Sequence, residues 1–338
     1  MKRVLIVGAG GFIGGFIAEE ALRRGCEVWC ALRESTSRRF LTDSRLKFVV
    51  LDYDSPDRIA QALLQATDNA QWRWDWIIYN LGATKVANYA DFNRINCVYL
   101  QNFITALRDS ALIPERMLYM SSLSALGPHD EKSYTPYIDS VIPFPNTRYG
   151  TSKIKAETLL DLSPDIPWII FRPTGVYGPH DKDYAMMISA IDHGVDFRVG
   201  LRKQLLSFIY VEDLAAAMFD ALEKAKVHKK YIISEPKSYS SKEVTSIIKR
   251  LLGRKVVMPA YLPLFIVKPV CFISEKIALM RCTTSTLNSD KYKILSQRNW
   301  SADPAEAIRD FGFSPRHSLA DGMKKTVEAY RKSNNRKS

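Results

Sequence analysis

The pattern of apolar and polar residues alternates between two periods through the first half of the chain. Short runs rich in β-branched and aromatic residues have the length and composition of buried strands. These runs cover residues 4–7, 28–32, 48–51, 76–79, 117–120 and 168–171. Amphipathic stretches with helical spacing separate them and cover residues 12–24, 54–65, 92–107 and 149–162. Strands that alternate with helices predict βαβ units and therefore an α/β fold with a doubly wound parallel sheet.

The second half of the chain mixes the two patterns. Residues 208–211, followed by the helical stretch 212–224, predict one more strand-helix unit of the same sheet. Residues 239–253 predict a helix whose start is marked, because Ser240 and Glu243 have the spacing of a capping box.

A cluster of glycines follows the first predicted strand directly and opens the first predicted helix. Gly8, Gly11 and Gly14 allow a tight turn, a close approach of the backbone to a pyrophosphate, and close packing of helix on strand. The helix that begins at Phe12 and Ile13 would offer free N–H groups and a positive dipole end to the phosphates. This arrangement predicts a dinucleotide site in a Rossmann-type domain.

The end of the second predicted strand bears on which dinucleotide binds. A site that prefers NAD carries an acidic residue there, which accepts from the ribose 2′-hydroxyl. This chain has Arg33 at that point and Arg38 close behind it. Guanidinium groups pair with a 2′-phosphate, so NADP(H) is the expected cofactor. NAD(H) stays open as the alternative, in which Arg33 stacks on adenine or is solvated.

Further cofactor contacts are expected at the ends of the third and fourth predicted strands. Asp52 is placed to accept a hydrogen bond from the adenine amino group, although a helix cap is the competing interpretation of this acidic turn. The remaining residues expected around the cofactor are Tyr53, Leu81, Gly82, Ala83 and Asn96.

These patterns predict two regions that share one sheet edge. Residues 1–174 form the NADP-binding Rossmann domain, and residues 207–228 return to it. Residues 175–206 and 229–338 form a smaller, discontinuous substrate-binding lobe. The lobe is expected to lie over the carboxyl ends of the strands, where ligands bind in open α/β sheets.

A tyrosine and a lysine stand one helical turn apart at the start of the stretch 149–162. The separation of four residues places Tyr149 and Lys153 on one helix face. A tyrosine has an ordinary pKa of about 10, and a nearby ammonium group lowers it towards the range useful for acid-base catalysis. Lys153 is also placed to hold the nicotinamide ribose. A serine hydroxyl after the fifth predicted strand could hydrogen-bond the substrate oxygen.

The ordered set of motifs resembles the extended short-chain dehydrogenase/reductase superfamily along nearly the whole chain. This group contains NAD(P)-dependent epimerases, dehydratases and 3β-hydroxysteroid or dihydroflavonol-type reductases. The motifs are Gly8-x-x-Gly11-x-x-Gly14, Ser121-Ser122, Tyr149-x-x-x-Lys153, the segment 172–179 (RPTGVYGP) and the segment 208–213 (FIYVED). The resemblance implies that Ser122 is the catalytic serine, with Ser124 as the alternative. It also implies that Pro173, Thr174, Gly175 and Val176 line the nicotinamide end.

Departures from the family's motifs narrow the chemistry. The resemblance implies an Asp-Glu pair after the catalytic serine in 4,6-dehydratases, and this chain has Leu123-Ser124. Nucleotide-sugar epimerases usually carry an asparagine where Gly175 stands and a diphosphate-binding arginine where Leu206 stands. Reversible hydride transfer between NADPH and a carbonyl or secondary alcohol is therefore the first prediction.

Two other functions stay open. The first is epimerisation of a nucleotide sugar, in which Arg202, Lys203 or Lys182 would neutralise the diphosphate. The second is a non-catalytic protein that senses NADP(H) or scaffolds a partner. The substrate contacts expected in either enzyme are Ser124, Lys85, His180 and Lys182.

Composition and charge add few constraints. The formal net charge is +12, but no nucleic-acid-binding motif accompanies it, and basic residues are concentrated towards the carboxyl terminus. The apolar, partly basic stretch 256–282 is expected to cover the substrate pocket, with peripheral contact to a membrane as the alternative. Five scattered cysteines predict free thiols in a reducing compartment and no metal site. A cytoplasmic location with no transmembrane segment is expected, and the resemblance implies a homodimer.

Overall fold

The computed structural model describes residues 1–281, 283, 285 and 287–335. Its strands are β1 (Arg3–Val7), β2 (Glu27–Leu32), β3 (Lys47–Val50), β4 (Trp76–Tyr79), β5 (Arg116–Met120), β6 (Trp168–Pro173), β7 (Gly175–Tyr177), β8 (Val195–Val199), β9 (Leu205–Tyr210), β10 (Lys229–Ile233), β11 (Ser238–Ser240), β12 (Met258–Leu262) and β13 (Asn299–Trp300). Its α-helices are α1 (Phe12–Arg23), α2 (Pro56–Ala66), α3 (Ala90–Asn93), α4 (Tyr99–Asp109), α5 (Arg148–Asp161), α6 (Lys182–Asp192), α7 (Val211–Lys224), α8 (Ser241–Leu252), α9 (Leu264–Met280), α10 (Ser289–Ser296), α11 (Ala305–Phe311) and α12 (Leu319–Asn335). A π-helical segment, Arg94–Val98, joins α3 to α4, and a 3₁₀ turn, Leu123–Ala125, follows β5.

A seven-stranded sheet in the order β10-β6-β5-β4-β1-β2-β3 forms the centre of the molecule. Every neighbouring pair in it is parallel. One face is covered by α1, α7 and α11, and the other by α2, α4 and α5, each through its own buried apolar cluster. The prediction of an α/β fold with a doubly wound parallel sheet is confirmed.

Two strands lie elsewhere than the sequence predicts. The run 208–211 was expected to join the central sheet, but β9 pairs with β7, β11 and β13 in a separate sheet. The edge position beside β6 is instead occupied by β10, in register from Lys229 to Ile233. The sequence predicts that residues 229–338 belong to the substrate-binding lobe, but residues 229–233 belong to the central sheet as β10. The second part of the lobe therefore begins after Ile233.

The remaining elements form a layer at the carboxyl ends of the central strands. The buried cluster in this layer joins α6, α8 and α12 to β7 and β9. Helix α8 begins as the sequence predicts, since the Ser240 side chain accepts from the Glu243 N–H and the Glu243 carboxylate returns to the Ser240 N–H. Strands β8 and β12 form a parallel pair that leads through Pro263 into α9. Among the described residues no helix is both long and apolar enough to cross a bilayer.

Candidate active site

A single cavity of about 1600 Å³ lies between the carboxyl ends of the central strands and the layer of β8, β9, β12 and α6. Its wall contains the turn after β1, the ends of β2 and β4, the residues after β5, and the first turn of α5. The predicted catalytic residues Ser122, Tyr149 and Lys153 all line it. The sheet topology explains this convergence, because parallel strands present their carboxyl ends at one edge.

The glycine turn after β1 has the shape that a phosphate requires. Gly8 has φ +84°, and a Cβ there would lie 2.7 Å from the Leu81 nitrogen. A Cβ on Gly14 would lie 2.5 Å from the carbonyl oxygen of Gly8, so only glycine lets α1 pack this closely. No side chain caps the amino terminus of α1 at Gly11, and Gly11, Phe12 and Ile13 line the cavity. The turn therefore fits a dinucleotide pyrophosphate.

The arginines after β2 lie in two different surroundings. Arg33 and Arg39 line the cavity. The Arg38 guanidinium lies 4.2 Å from the centre of the Phe48 ring, and Arg38 is absent from the cavity wall. The structure thus places Arg39 in the cavity wall and Arg38 outside it, and the predicted contact of Arg38 with the cofactor stays a prediction. The two residues lie in a turn, which the Leu41 N–H closes by donating to the Arg38 carbonyl at 2.8 Å.

Asp52 does not line the cavity. Its carboxylate pairs with Arg58 at 2.6 Å and accepts from the Asp54 N–H at 3.1 Å. The competing interpretation of a helix cap by an acidic residue is wrong, since Ser55 and not Asp54 caps α2, and the adenine contact of Asp52 stays a prediction. Tyr53 does line the cavity, with a buried ring.

The loop after β4 is held by one buried amide. The Asn96 side chain donates to the Ala83 carbonyl at 3.0 Å and accepts from the Ala83 N–H at 2.7 Å. It also donates to the Ser152 hydroxyl at 2.8 Å, on the turn of α5 that carries the catalytic lysine. Leu81 and Gly82 line the cavity, whereas Ala83 and Asn96 lie behind it. Ala83 and Asn96 thus position the loop and α5, and their predicted contact with the cofactor stays a prediction.

Lys153 is buried, and its ammonium points to the end of β5. Its Nζ donates to the Met120 carbonyl at 2.8 Å and lies 3.4 Å from the Tyr119 hydroxyl. A Cβ on Gly82 would lie 2.9 Å from the same Nζ, so this glycine keeps the lysine open to the cavity. Burial lowers the pKa of Lys153 to about 7, while the Glu157 carboxylate acts in the opposite direction.

Tyr149 lies beside Ser122 in the cavity wall. Burial raises the pKa of Tyr149 to about 12, and the hydrogen bond with Ser122 acts in the opposite direction. The sequence prediction of a lowered pKa is therefore wrong for the polypeptide alone, because burial outweighs the nearby polar groups. At neutral pH the Tyr149 hydroxyl holds its proton, which suits a group that donates to a carbonyl oxygen.

The first turn of α5 is fixed from two sides. Thr147 caps the helix by accepting from the Gly150 N–H at 3.0 Å. The Asp290 carboxylate of α10 accepts from the N–H groups of Arg148 at 2.7 Å and Tyr149 at 3.3 Å. A carboxylate at a helix amino terminus is favourable. Sequence reasoning missed Asp290, because a single aspartate 141 residues from Tyr149 carries no local signal.

A buried ion pair supports the same helix from behind. The Arg172 guanidinium of β6 donates to the Glu157 carboxylate at 2.6 and 3.1 Å, and both side chains are almost completely buried. Ser121 donates to the same carboxylate at 2.6 Å. This network joins the ends of β5 and β6 to α5, and so it fixes the spacing between Ser122 and Tyr149.

The segment from the end of β6 into β7 lines the cavity, and its contact with the nicotinamide stays a prediction. Pro173, Thr174, Gly175 and Val176 all contribute to the wall. A Cβ on Gly175 would lie 2.4 Å from the Tyr184 hydroxyl of α6. The space that a side chain at position 175 would occupy is therefore filled by Tyr184.

The predicted substrate residues all line the cavity, but their surroundings differ. Ser124 lines it from within the 3₁₀ turn, and Lys182 is exposed at the start of α6. Lys85 is paired with Asp183 at 2.5 Å. The His180 ring lies 4.6 Å from the Phe40 ring, beside Arg39, and burial lowers its pKa. His180 is thus neutral at pH 7.

Comparison with known proteins identifies the chain at family level. The sequence pattern of the NAD dependent epimerase/dehydratase family matches residues 4–234. The chain belongs to this family. It is therefore an enzyme of the extended short-chain dehydrogenase/reductase superfamily, and its cofactor is a nicotinamide dinucleotide.

Three proteins that are similar in sequence to this chain differ in their activities. A trifunctional UDP-glucose 4,6-dehydratase/UDP-4-keto-6-deoxy-D-glucose 3,5-epimerase/UDP-4-keto-L-rhamnose-reductase of Arabidopsis thaliana is 22% identical over 97% of this chain, which spans 47% of that protein. A UDP-glucose 4-epimerase of Vibrio cholerae is 23% identical over 99% of this chain and 97% of its own length. A ceramide reductase of Caulobacter vibrioides is 24% identical over 97% of this chain and 94% of its own length.

A solved structure supports the fold. The dTDP-glucose 4,6-dehydratase of Bacillus anthracis, in complex with NAD, superposes with a TM-score of 0.77 at 16% identity and covers 99% of this chain and 98% of its own.

Proposed function

We propose that the protein is an NADP(H)-dependent reductase that interconverts a carbonyl and a secondary alcohol on a substrate with a large apolar part. The observation that carries this proposal is the packing of Tyr184 at Gly175. Position 175 offers no side chain to a nucleotide sugar, and the Tyr184 hydroxyl occupies the adjoining space, 2.4 Å from where a Cβ would lie.

The wall beyond the catalytic residues supports the same substrate class. Leu206 stands where the resemblance implies a diphosphate-binding arginine, and it lines the cavity. Apolar side chains from α6, β8 and the loop after it, β12 and α10 also line the cavity, namely Met186, Met187, Phe197, Leu201, Tyr261 and Leu295. A pocket of this composition stabilises an apolar substrate by removing its surface from water. The full-length similarity to a ceramide reductase is consistent with such a substrate.

The proposed roles follow from the positions of the side chains. Tyr149 keeps its proton at neutral pH and donates it to the oxygen that forms during reduction. Ser122 holds that oxygen beside Tyr149. Lys153, fixed by Met120, orients the nicotinamide ribose. The cofactor, held by the glycine turn and the arginines after β2, supplies or accepts the hydride when bound.

The test follows NADPH oxidation by the purified protein against two panels of substrates. One panel contains long-chain ketones and the other contains keto-sugar nucleotides. We expect steady turnover on the apolar panel that disappears in Tyr149→Phe. Turnover only on keto-sugar nucleotides would contradict the proposed substrate class.

Epimerisation of a nucleotide sugar is the second candidate, and the cationic residues of the cavity favour it. Arg202, Lys203 and Lys182 line the wall and could neutralise a diphosphate. Arg298, which lies between α10 and β13, also lines the cavity. Its guanidinium already donates to the carbonyls of Val199 and Ser296, so it is not counted among the groups that would bind the diphosphate. Interconversion of two nucleotide sugars without net oxidation of cofactor would establish this candidate in place of the first.

Preference for NADP(H) is proposed from Arg33 and Arg39, which both line the cavity after β2. An Arg33→Asp variant should bind NADPH at least about tenfold more weakly, because a carboxylate repels the 2′-phosphate, and NADH should be affected much less. Titration of both cofactors by fluorescence measures this change. Arg38→Asp is the matched control, since Arg38 packs on Phe48. If Arg33→Asp weakened the binding of NADPH and NADH equally, Arg33 would not be the residue that binds the 2′-phosphate.

We also propose that the enzyme is a cytoplasmic homodimer. The resemblance implies pairing through the helices that carry Asn96 and Tyr149. In this structure α4 and α5 pack beside each other on one face of the sheet.

A further inference from the structure

Helix α9 presents most of its circumference to solvent although it is largely apolar. Its buried residues form one narrow stripe, namely Val267, Cys271, Glu275 and Ala278. Eight large apolar side chains elsewhere on it are exposed, with Phe265 and Met280 each 77% exposed. We call these eight residues the apolar face: Phe265, Ile266, Val270, Phe272, Ile273, Ile277, Leu279 and Met280. Exposed apolar surface of this kind marks an interaction site.

The apolar face continues into the entrance of the active-site cavity. Strand β12 runs directly into α9, and its partner β8 contributes a whole edge of the cavity wall. Phe197, Leu201 and Tyr261 line the cavity and are themselves exposed, with Leu201 77% exposed. Val256 and Met258 add to the same exposed region. The apolar face and these cavity-lining residues therefore belong to one continuous unit of β8, β12 and α9.

The charges around the apolar face are almost all positive. Between residues 254 and 281 the basic residues are Arg254, Lys255, Lys268, Lys276 and Arg281, all of them exposed. The one acidic residue in this segment, Glu275, is only 6% exposed and pairs with Arg148. Lys276 also lies over the Phe272 ring at 5.5 Å. Apolar side chains interleaved with cations are typical of helices that lie in the interface of an anionic bilayer.

We propose that α9, with the adjoining ends of β8 and β12, docks the protein on a membrane that contains anionic lipids. Docking would place the cavity entrance against the bilayer, so that an apolar substrate reaches Tyr149 directly from the lipid. The proposal builds on the reductase function above, and it names the surface that delivers the substrate. The proposal places α9 in the surface of the bilayer and not across it, since this helix of 17 residues is not long and apolar enough to cross a membrane.

The electrostatic pattern favours a bilayer over a second copy of the chain as the occupant. A self-complementary apolar interface would bring two copies of Lys268, Lys276 and Arg281 together, and the only carboxylate in the segment is buried. Anionic headgroups, by contrast, would neutralise these cations while the apolar side chains enter the acyl region.

The experiment is co-sedimentation of the full chain with vesicles. Mixed vesicles of phosphatidylcholine and phosphatidylglycerol should bind the protein at least about tenfold more tightly than vesicles of phosphatidylcholine alone, and added salt should reduce the difference. Phe265→Ser/Phe272→Ser should weaken binding by about tenfold or more. Lys268→Ala/Lys276→Ala should weaken it by roughly tenfold on the anionic vesicles only.

The matched control removes two exposed apolar side chains outside the apolar face. Phe144→Ser/Leu162→Ser should leave vesicle binding unchanged, because the two residues lie before and after α5 and belong neither to α9 nor to the ends of β8 and β12. No binding by the natural sequence, or equal loss in the control, would overturn the proposal. A fall in oligomeric mass of the α9 variants, with no vesicle binding, would assign this surface to a second copy instead.

The failure of docking and the failure of the reductase function give different results. Turnover of water-soluble ketones without vesicle binding would overturn docking alone. Vesicle binding without any Tyr149-dependent oxidation of NADPH would overturn the reductase function and leave docking in place.

Discussion

Replacement of Tyr149 by Phe should lower the turnover number for the accepted ketone by roughly 10²–10⁴-fold, the usual contribution of a positioned acid. The ring keeps its packing against Phe92, whose centre lies 6.2 Å away, so the fold should be preserved. NADPH binding should change little, because the glycine turn and the arginines after β2 are untouched. Steady-state oxidation of NADPH measures the first expectation, and fluorescence titration measures the second.

Tyr330→Phe provides the matched control for this variant. Its hydroxyl lies on α12, 3.5 Å from Asp192, and it is absent from the cavity wall. Turnover should be unchanged when this hydroxyl is removed. If Tyr149→Phe retained full turnover, the proton would have to come from another group, and the assignment of the site would be wrong. If neither the natural sequence nor the variant turned over any substrate while NADPH still bound, a sensing role would be supported.

Replacement of Glu157 by Ala should lower the free energy of unfolding by about 3–5 kcal/mol, because the variant leaves a buried guanidinium without its partner. Arg172 is 2% exposed, and two of its nitrogens donate to Glu157. Ser121 would lose the same acceptor. Chemical denaturation followed by tryptophan fluorescence measures the change. Turnover should also fall, since this network sets the spacing between β5 and α5.

The double variant Glu157→Leu/Arg172→Met separates charge from packing. It removes both buried charges and restores apolar volume, so most of the lost stability should return. A double variant as unstable as Glu157→Ala alone would show that the loss came from packing. A single variant with unchanged stability would contradict the assignment of this pair as a support of the site.

The sequence determined the central sheet and most of the cofactor side of the site. Strand and helix periods are local properties, so six of the seven strands of the sheet were predicted within about two residues of their observed ends. Gly8 and Gly14 were predictable because the turn and the helix packing exclude any Cβ there. Tyr149 and Lys153 were predictable as neighbours on one face because both lie on one helix, one turn apart.

Only the tertiary structure decided the long-range partners. The sequence pattern of β9 predicts a strand of the central sheet. In the structure its partners are β7, β11 and β13, which come from three other parts of the chain. Arg39 replaces Arg38 in the cavity, because the path of the segment after β2 turns Arg38 onto Phe48. Asp290 reaches the start of α5 from α10, across a separation that leaves no local pattern.

The pKa of Tyr149 also depends on contacts between residues that are distant in sequence. The spacing to Lys153 predicts a lowered pKa, but burial, which depends on every element packed around the ring, raises it to about 12. Periodicity and backbone sterics act over a few residues and can be read from the chain. Burial, pairing across elements and the filling of space at Gly175 depend on residues that are distant in sequence, and so they exist only once the chain has folded.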